Sequence, residues 1–207
     1  RDADPRSASF HKSTRSNAER MLNLVDATKV SEDPRYIKFA ARVVDYADRV
    51  LLDGRGGFVH GQVGDRQLIP ESNGAILRAW LAYAALKGDV RMRNFAWKSL
   101  DRVWAECWMD GPGMVRRSVF GDIETEPRLA DQYEMGRAYV WSAHMTGRGS
   151  DLEHARAIGD DMLATYEELK AKGVKFTKEP TKEFYGFNAV FEDDSGNWFS
   201  LSEAKKD

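Results

Sequence analysis

Three polar residues of this 207-residue chain could carry out acid–base chemistry together. His60 follows Gly57-Phe58 in a polar loop, Glu71 comes shortly after it, and Asp131 lies at the start of a later predicted helix. Two carboxyl groups can serve as general acid and general base, and their separation decides whether they fit a glycosidic bond. We therefore predict Glu71 as the acid or base, Asp131 as its partner, and His60 as a hydrogen-bonding group for the substrate.

Each of these residues also has a purely structural interpretation. The loop that carries His60 and Glu71 could be a solvated surface loop without a catalytic role, because short motifs give many false positives. Asp131 could simply favour the dipole of its helix, which stabilises a helix by about 0.3–1 kcal/mol. Arg137, one helical turn further on, could pair with Asp131 or with Glu134. The sequence leaves both interpretations open.

The other reactive side chains do not form a recognisable site. Cys107 lies between Glu106 and Trp108 without a clear base, which predicts an inert thiol. His144 and His154 fall on different predicted helices and lack metal-ligand spacing, so the sequence predicts neither a metal nor a cofactor. Five tryptophans at helical spacing favour packing between helices over sugar stacking. They are Trp80, Trp97, Trp104, Trp108 and Trp141.

The composition is that of an ordinary globular protein. Hydrophobic residues make up 42% of the chain, charged residues make up 31%, and the net charge is −2 with both signs interspersed. The absence of a basic face argues against a nucleic-acid partner. Neither a signal peptide nor an apolar run of membrane-spanning length is present, and a single cysteine excludes an intrachain disulfide. We expect a cytoplasmic protein, and the start at Arg1 rather than Met suggests a fragment or a processed chain.

The elements that must position these residues follow a repeating plan. After a flexible polar arm at residues 1–15, each copy consists of a helix, a turn, a second helix and a glycine-rich loop. A period of roughly 55–60 residues of this kind indicates helical-hairpin repeats. The turns fall at Asp33, Asp89 and Asp151, and the closing glycines are Gly57, Gly113 and Gly173.

Apolar spacing, caps and breakers give the predicted bounds of the elements. The first helix begins at Ser16. The other helices are predicted at residues 34–51, 75–86, 90–108, 129–145 and 151–172. In the tail, strands are predicted at residues 174–180, 188–191 and 198–202, with a hairpin turn over 193–197.

Several short motifs lie at the ends of these helices or in their connections. They are Gly57-Phe58, Asn73-Gly74 before Ala75-Ile76-Leu77, Lys87-Gly88-Asp89, Leu129-Ala130-Asp131-Gln132 and Thr146-Gly147. With these motifs, about residues 16–172 resemble a segment of an (α/α) toroid. This is the six-hairpin architecture of N-acylglucosamine 2-epimerases, many glycosidases and the helical region of certain thioredoxin-domain proteins. The resemblance implies that loops at one mouth carry acids and bases that act on sugars, around a pocket for which three of six hairpins are visible.

The last fifth of the chain follows another pattern. A helix-forming run at 160–173 leads into β-forming residues at 174–177, and Gly196-Asn197 stands directly before Trp198. About residues 160–203 thus resemble the closing module of glyoxalase/bleomycin-resistance (vicinal-oxygen-chelate) proteins. Such a module runs strand, helix, then three strands, and two modules form one cupped site. Here residues 151–157 are predicted to be helical where the first strand should lie, and the companion module is missing.

The same resemblance argues against a metal. In metal-dependent members a carboxylate on the last strand binds the ion, and the matching position here is Ser200. A neutral hydroxyl is a poor ligand for a divalent ion. The resemblance therefore implies a metal-independent module, completed by a second copy through unpaired strand edges of the tail.

The sequence thus predicts a mainly α-helical protein. Three αα-hairpins, a partial α/α toroid at residues 16–172, precede a small C-terminal antiparallel β-meander at 173–207. The predicted function is that of a carbohydrate-binding or carbohydrate-processing fragment that could lack full catalytic equipment. The alternatives are the glyoxalase-type small-ligand module, completed as a homodimer through the tail, and a non-enzymatic helical scaffold. Whether the chain is an enzyme stays open.

Overall fold

The computed structural model describes residues 13–31, 33–61, 67–118, 120–126, 128–171, 176–183, 186–192 and 198–202. Within them, six α-helices form three hairpins, which confirms the predicted fold class. The helices are α1 (Thr14–Val30), α2 (Pro34–Tyr46), α3 (Pro70–Lys87), α4 (Val90–Cys107), α5 (Leu129–Thr146) and α6 (Gly149–Ala171). A π-helical turn, Ala47–Leu51, continues α2. No helix in this described part is long and apolar enough to cross a membrane.

Local capping explains the first two hairpin turns. Asp33 accepts a hydrogen bond from the first turn of α2, and Pro34 occupies the first helical position, where its missing N–H costs nothing. Asp89 caps α4 in the same way. Gly88 ends α3 with φ 65°, a left-handed conformation that favours glycine. Both turns therefore match the sequence prediction.

The third hairpin turn differs from the prediction. Gly147 ends α5 with φ 72°, but α6 already begins at Gly149. Asp151 therefore lies inside the first turn of α6 and is buried, rather than marking the turn itself. At the other end of the chain, α1 begins at Thr14, two residues before the predicted start.

Helix α3 begins at Pro70, five residues before the predicted start. Asn73 and Gly74 look like loop residues in the sequence, yet both lie within the helix. The side chain of Asn73 accepts a hydrogen bond from the N–H of Phe58 at 2.8 Å and donates one to its carbonyl at 2.8 Å. Tertiary contacts thus override the local preference of these residues.

Helices α1, α3 and α5 form a central row with α3 in the middle, and α2, α4 and α6 each pack on their hairpin partner. The N-terminal ends of the three row helices lie together, because contacts join Arg15 to Glu71 and Glu71 to Asp131. We call this end of the row the mouth. The long connections that enter α3 and α5 lie at the mouth, and the short hairpin turns lie at the opposite end.

Short strands build the connections at the mouth. One antiparallel sheet has the order β1 (Gln67–Leu68), β4 (Arg116–Ser118) and β5 (Ile123–Glu124). A second pair joins β2 (Trp108–Met109) to β3 (Gly113–Met114). These strands tie the loop after α2 to the loop after α4, so they fix the side chains that the two loops carry.

The C-terminal part is a three-stranded antiparallel meander, as predicted. Its strands are β6 (Phe176–Glu183), β7 (Gly186–Glu192) and β8 (Trp198–Ser202), in that order. Ser200 of β8 pairs with Val190 of β7. The predicted hairpin turn at 193–197 and most of the predicted arm, residues 1–12, lie outside the described residues.

The hydrophobic core lies between the central row and the outer helices. Large buried side chains come from five of the helices: Met21, Ile76, Leu100, Tyr139 and Ile158. The Tyr139 hydroxyl donates to the carbonyl of Leu100 at 2.9 Å, which satisfies its one buried polar group. Four of the five tryptophans predicted to be helical lie in helices, whereas Trp108 lies in β2, and all five pack in or against this core, in line with the packing role predicted for them.

The tightest approach between α3 and α5 generates a stability prediction. A Cβ on Gly74 would lie 2.4 Å from the carbonyl oxygen of Glu134, whereas a Cβ on Gly159 in α6 would meet nothing within 4 Å. Overlap with backbone cannot be relieved by a rotamer change, so Gly74→Ala should destabilise the fold by about 3 kcal/mol. The matched control Gly159→Ala should stabilise it by about 0.5–1 kcal/mol, because alanine favours helix. Urea denaturation of both variants measures this, and unchanged stability of Gly74→Ala would contradict the close crossing.

Candidate functional site

All three predicted site residues lie at the mouth. Glu71 is in the first turn of α3, Asp131 is in the first turn of α5, and His60 is in the loop before β1. The backbone of His60 accepts a hydrogen bond from the N–H of Thr14 at 2.9 Å and donates one to the carbonyl of Gln67 at 3.0 Å. These bonds hold the loop against the start of α1.

Glu71 and Asp131 are in direct contact. The Oδ1 atom of Asp131 accepts a hydrogen bond from the backbone N–H of Glu71 at 2.8 Å. Ile69, at the cap position of α3, supplies no side-chain acceptor, so a residue of the neighbouring helix does so instead. Asp131 therefore lies in the first turn of its own helix, α5, as its structural interpretation predicts, and it also caps the adjacent helix α3.

The imidazole of His60 lies close to this pair. Its Nδ1 atom lies 3.1 Å from the hydroxyl of Ser72, the residue that follows Glu71. The imidazole therefore lies at the N-terminal end of α3, where the carboxylates of Glu71 and Asp131 also lie.

An arginine bridges the two carboxylates. The Nε atom of Arg116, on β4, lies 2.8 Å from Oδ2 of Asp131, and its Nη2 atom lies 3.4 Å from Oε2 of Glu71. Arg15, on α1, binds Oε1 of Glu71 at 2.9 Å. Charge-assisted pairs of this kind are the strong hydrogen bonds of proteins. The mouth is thus joined across α1, β4, α3 and α5.

Glu134 extends the charged group along α5. It is 3% exposed, and three guanidinium groups approach it: Arg15 at 3.3 Å, Arg78 at 3.5 Å and Arg137 at 3.5 Å. The contact with Arg137 is one of the two pairings considered from the sequence. We call Arg15, Glu71, Arg78, Arg116, Asp131, Glu134 and Arg137 the arginine–carboxylate cluster.

The two predicted carboxylates differ in their exposure to solvent. Asp131 is 1% exposed, and both of its oxygens already accept hydrogen bonds, from Glu71 and from Arg116. Glu71 is 29% exposed, so its carboxylate is open to a ligand. The arrangement lets Glu71 contact a substrate, while Asp131 can position Glu71 and Arg116.

The surroundings shift the pKa values of Arg15 and Arg78 in opposite directions. Burial opposes charge on Arg15, but hydrogen bonding to Glu19 and the charges of Glu134 and Glu71 raise its pKa above the usual value. Burial lowers the pKa of Arg78, and the nearby charge of Arg137 lowers it further. The charge of Glu134 acts in the opposite direction.

Sequence reasoning missed Arg15, Arg78 and Arg116. A signal for Arg116 was present: it follows the closing Gly113 by three residues, just as His60 follows Gly57 by three residues. Equivalent positions in two repeats therefore deliver a cationic or polar side chain to the mouth.

The described residues offer no alternative centre for metal or thiol chemistry. Among them, no group of three His, Cys, Asp or Glu side chains could hold a metal ion. Cys107 is buried, and this burial raises its pKa to about 12. Its thiolate is therefore negligible at neutral pH, in line with the predicted inert thiol.

Solved structures similar to this chain share the helical fold. Cellobiose 2-epimerase from Spirochaeta thermophila DSM 6192 matches 72% of this chain and 42% of its own length, with a TM-score of 0.66 and 17% identity. A family 76 glycoside hydrolase (mannosidase) from Bacteroides thetaiotaomicron VPI-5482 matches 89% of this chain and 50% of its own, with a TM-score of 0.65 and 17% identity. These likenesses show that the hairpins have the α/α-toroid fold. The chain spans half or less of the length of these structures.

The end of the chain is similar to a different group. Residues 128–201 match the model of the Glyoxalase/Bleomycin resistance protein/Dioxygenase superfamily. The uncharacterized protein YetH of Bacillus subtilis (strain 168) is 41% identical over 44 residues, which cover 21% of this chain and 37% of that protein. Residues 129–146 and 149–171 within this match are helices α5 and α6. The strand that opens a glyoxalase-type module is therefore not found within described residues 128–171.

The double role of Asp131 generates a second stability prediction. Asp131→Ala removes the cap of α3 and one partner of Arg116, so it should destabilise the fold by about 3 kcal/mol. Asp131→Asn keeps an oxygen for the cap and loses only the charge, so it should cost about 1–2 kcal/mol. Asp26→Ala, at an exposed ion pair of α1, should change stability by less than about 0.5 kcal/mol. Equal losses for the alanine and asparagine variants in chemical denaturation would contradict the capping role.

Proposed function

We propose that the mouth binds a carbohydrate. The observation that carries this proposal is that the partly exposed carboxylate of Glu71 and the buried carboxylate of Asp131 are bridged by Arg116 at the helix ends of a toroid-type fold. Structures with this fold include a cellobiose 2-epimerase, a D-mannose isomerase and a mannosidase. Two neighbouring carboxylates, one of them partly exposed, suit both hydrogen bonding to sugar hydroxyls and proton transfer.

The roles follow from exposure and contacts. Glu71 is the acid or base, because its carboxylate is open and Arg15 and Arg116 fix its direction. Asp131 is its partner and holds the start of α3 in place. His60, held near Ser72, hydrogen-bonds a sugar hydroxyl.

Because the chain matches only part of the similar structures, we propose sugar binding rather than catalysis. It corresponds to 42% of the epimerase and 50% of the mannosidase, so its mouth matches only part of a closed toroid pocket. An open mouth excludes less water, and polar contacts are then weaker. We therefore propose sugar binding as the function of this chain and treat catalysis as requiring further walls of the pocket.

Calorimetry with mannose, glucose and cellobiose tests the proposal. The unmodified chain should bind at least one of them, and Glu71→Gln or Asp131→Asn should each weaken that binding about tenfold, which corresponds to losing one strong hydrogen bond. Glu153→Gln, on the exposed side of α6, is the matched control and should leave binding unchanged. Circular dichroism confirms that each variant is folded. If the unmodified chain binds none of these sugars, the proposal fails.

A glyoxalase-type binding module is a second candidate, favoured by the family match over residues 128–201. In this proposal the meander of β6, β7 and β8 forms half of a cup for a small ligand, without a metal. Its outer strands β6 and β8 each have one edge that is not paired within the sheet, and such edges recruit partners. A second copy of the chain would then complete the cup.

Sedimentation velocity tests this second candidate. The full chain should sediment as a dimer at micromolar concentration, and a chain that ends at Gly173 should sediment as a monomer. Identical monomers for both chains would remove the candidate.

The remaining alternative is a peptide-binding scaffold. Such a scaffold would present a concave face lined by aromatic residues. The described part of the mouth carries the arginine–carboxylate cluster instead, which suits a polar ligand. We therefore favour the carbohydrate over a peptide.

A further inference from the structure

The charges around Glu134 are not balanced. Three guanidinium groups surround this one buried carboxylate. Arg15 is also paired with Glu19 and Glu71. Arg78 and Arg137, however, have Glu134 as their ion-pair partner within the described part of the chain. Two positive charges thus share one negative charge.

The geometry leaves hydrogen-bonding capacity unused at the same place. The contacts of Glu134 with Arg78 and Arg137 are both 3.5 Å, at the limit of a hydrogen bond. Among the described residues, the buried Nε atom of Arg78 and the buried Oε2 atom of Glu134 have no hydrogen-bond partner. Guanidinium groups that are only weakly paired can bind a planar anion.

The exposed guanidinium group of Arg137 lies beside an exposed aromatic ring. Arg137 is 43% exposed, and its guanidinium carbon lies 5.1 Å from the centre of the Tyr133 ring. Tyr133 is also exposed. An exposed ring can stack on the apolar face of a pyranose, and the adjacent cation can then reach a substituent of that sugar.

We propose that Arg78 and Arg137 form a subsite for the anionic group of a sugar, so that the mouth prefers acidic sugars over neutral ones. Glu134 holds the two guanidinium groups in place, Tyr133 receives the ring, and Glu71 lies on the adjoining end of α3. The inference rests on the proposed sugar-binding function and names its ligand class.

Calorimetry of the full chain at low ionic strength tests the inference with four probes: glucose, glucuronate, glucose 6-phosphate and inorganic phosphate. We expect glucuronate or glucose 6-phosphate to bind at least tenfold more tightly than glucose and than inorganic phosphate. Which of the two binds more tightly identifies a carboxylate or a phosphate as the preferred group. Raising the KCl concentration to 0.3 M should weaken binding of the acidic sugar and leave glucose binding unchanged, since salt screens only the charged contact.

Two variants assign the effect to these arginines. Arg137→Gln, at an exposed position, should lower the affinity for the acidic sugar at least tenfold more than the affinity for glucose. Arg78→Lys keeps the charge but loses the planar fork, and it should reduce the same preference. Arg35→Gln, at the exposed start of α2, is the control and should change neither affinity.

The outcomes separate this inference from the function on which it rests. Equal affinity for glucose and the acidic sugars would overturn the inference and leave sugar binding intact. Inorganic phosphate binding as tightly as glucose 6-phosphate would also overturn it, because the site would then take any anion. An unchanged preference in Arg137→Gln would overturn the assignment. Binding of none of the sugars would overturn both the inference and the proposed function.

Discussion

The geometry of the mouth depends on the buried carboxylate of Asp131. One oxygen holds the first backbone N–H of α3, and the other holds Arg116 of β4, so a single group joins two helices and a strand. A buried carboxylate is tolerated only when it is paired and hydrogen-bonded, and both conditions are met here. Because Ile69 cannot cap α3 with its side chain, the start of that helix depends on a residue of its neighbour.

The helical period explains how the rest of the cluster follows from this contact. Glu71, Gly74 and Arg78 are spaced three and four residues apart, so they share one face of α3. Asp131 and Glu134 share the facing side of α5 in the same way. Because Gly74 has no side chain, α3 can approach α5 until its backbone contacts the carbonyl group of Glu134. The close crossing therefore brings Glu71 to Asp131 on one side and Arg78 to Glu134 on the other.

Local signals are sufficient to predict the first two hairpin turns, whereas the site depends on tertiary contacts. Asp33, Asp89 and Gly88 cap or end helices through neighbouring residues, so the sequence predicts their turns. Asn73 and Gly74 have a weak preference for helix and lie before the predicted helix at residues 75–86, but contacts with Phe58 and α5 include them in α3. Arg15 and Arg116 lie 56 and 45 residues from Glu71 along the chain, so no local pattern connects them.

The two family resemblances meet in α6, and the packing of that helix indicates which fold it serves. Ile158 and Tyr166 of α6 are buried, and Ile158 lies against Gly136 of α5. Leu152 and Leu163 of the same helix are exposed. Helix α6 thus packs against its hairpin partner α5 through buried side chains. A helix common to both sequence patterns can therefore fold as part of the toroid, and residues 151–157, where a glyoxalase-type module would have its first strand, belong to α6 itself.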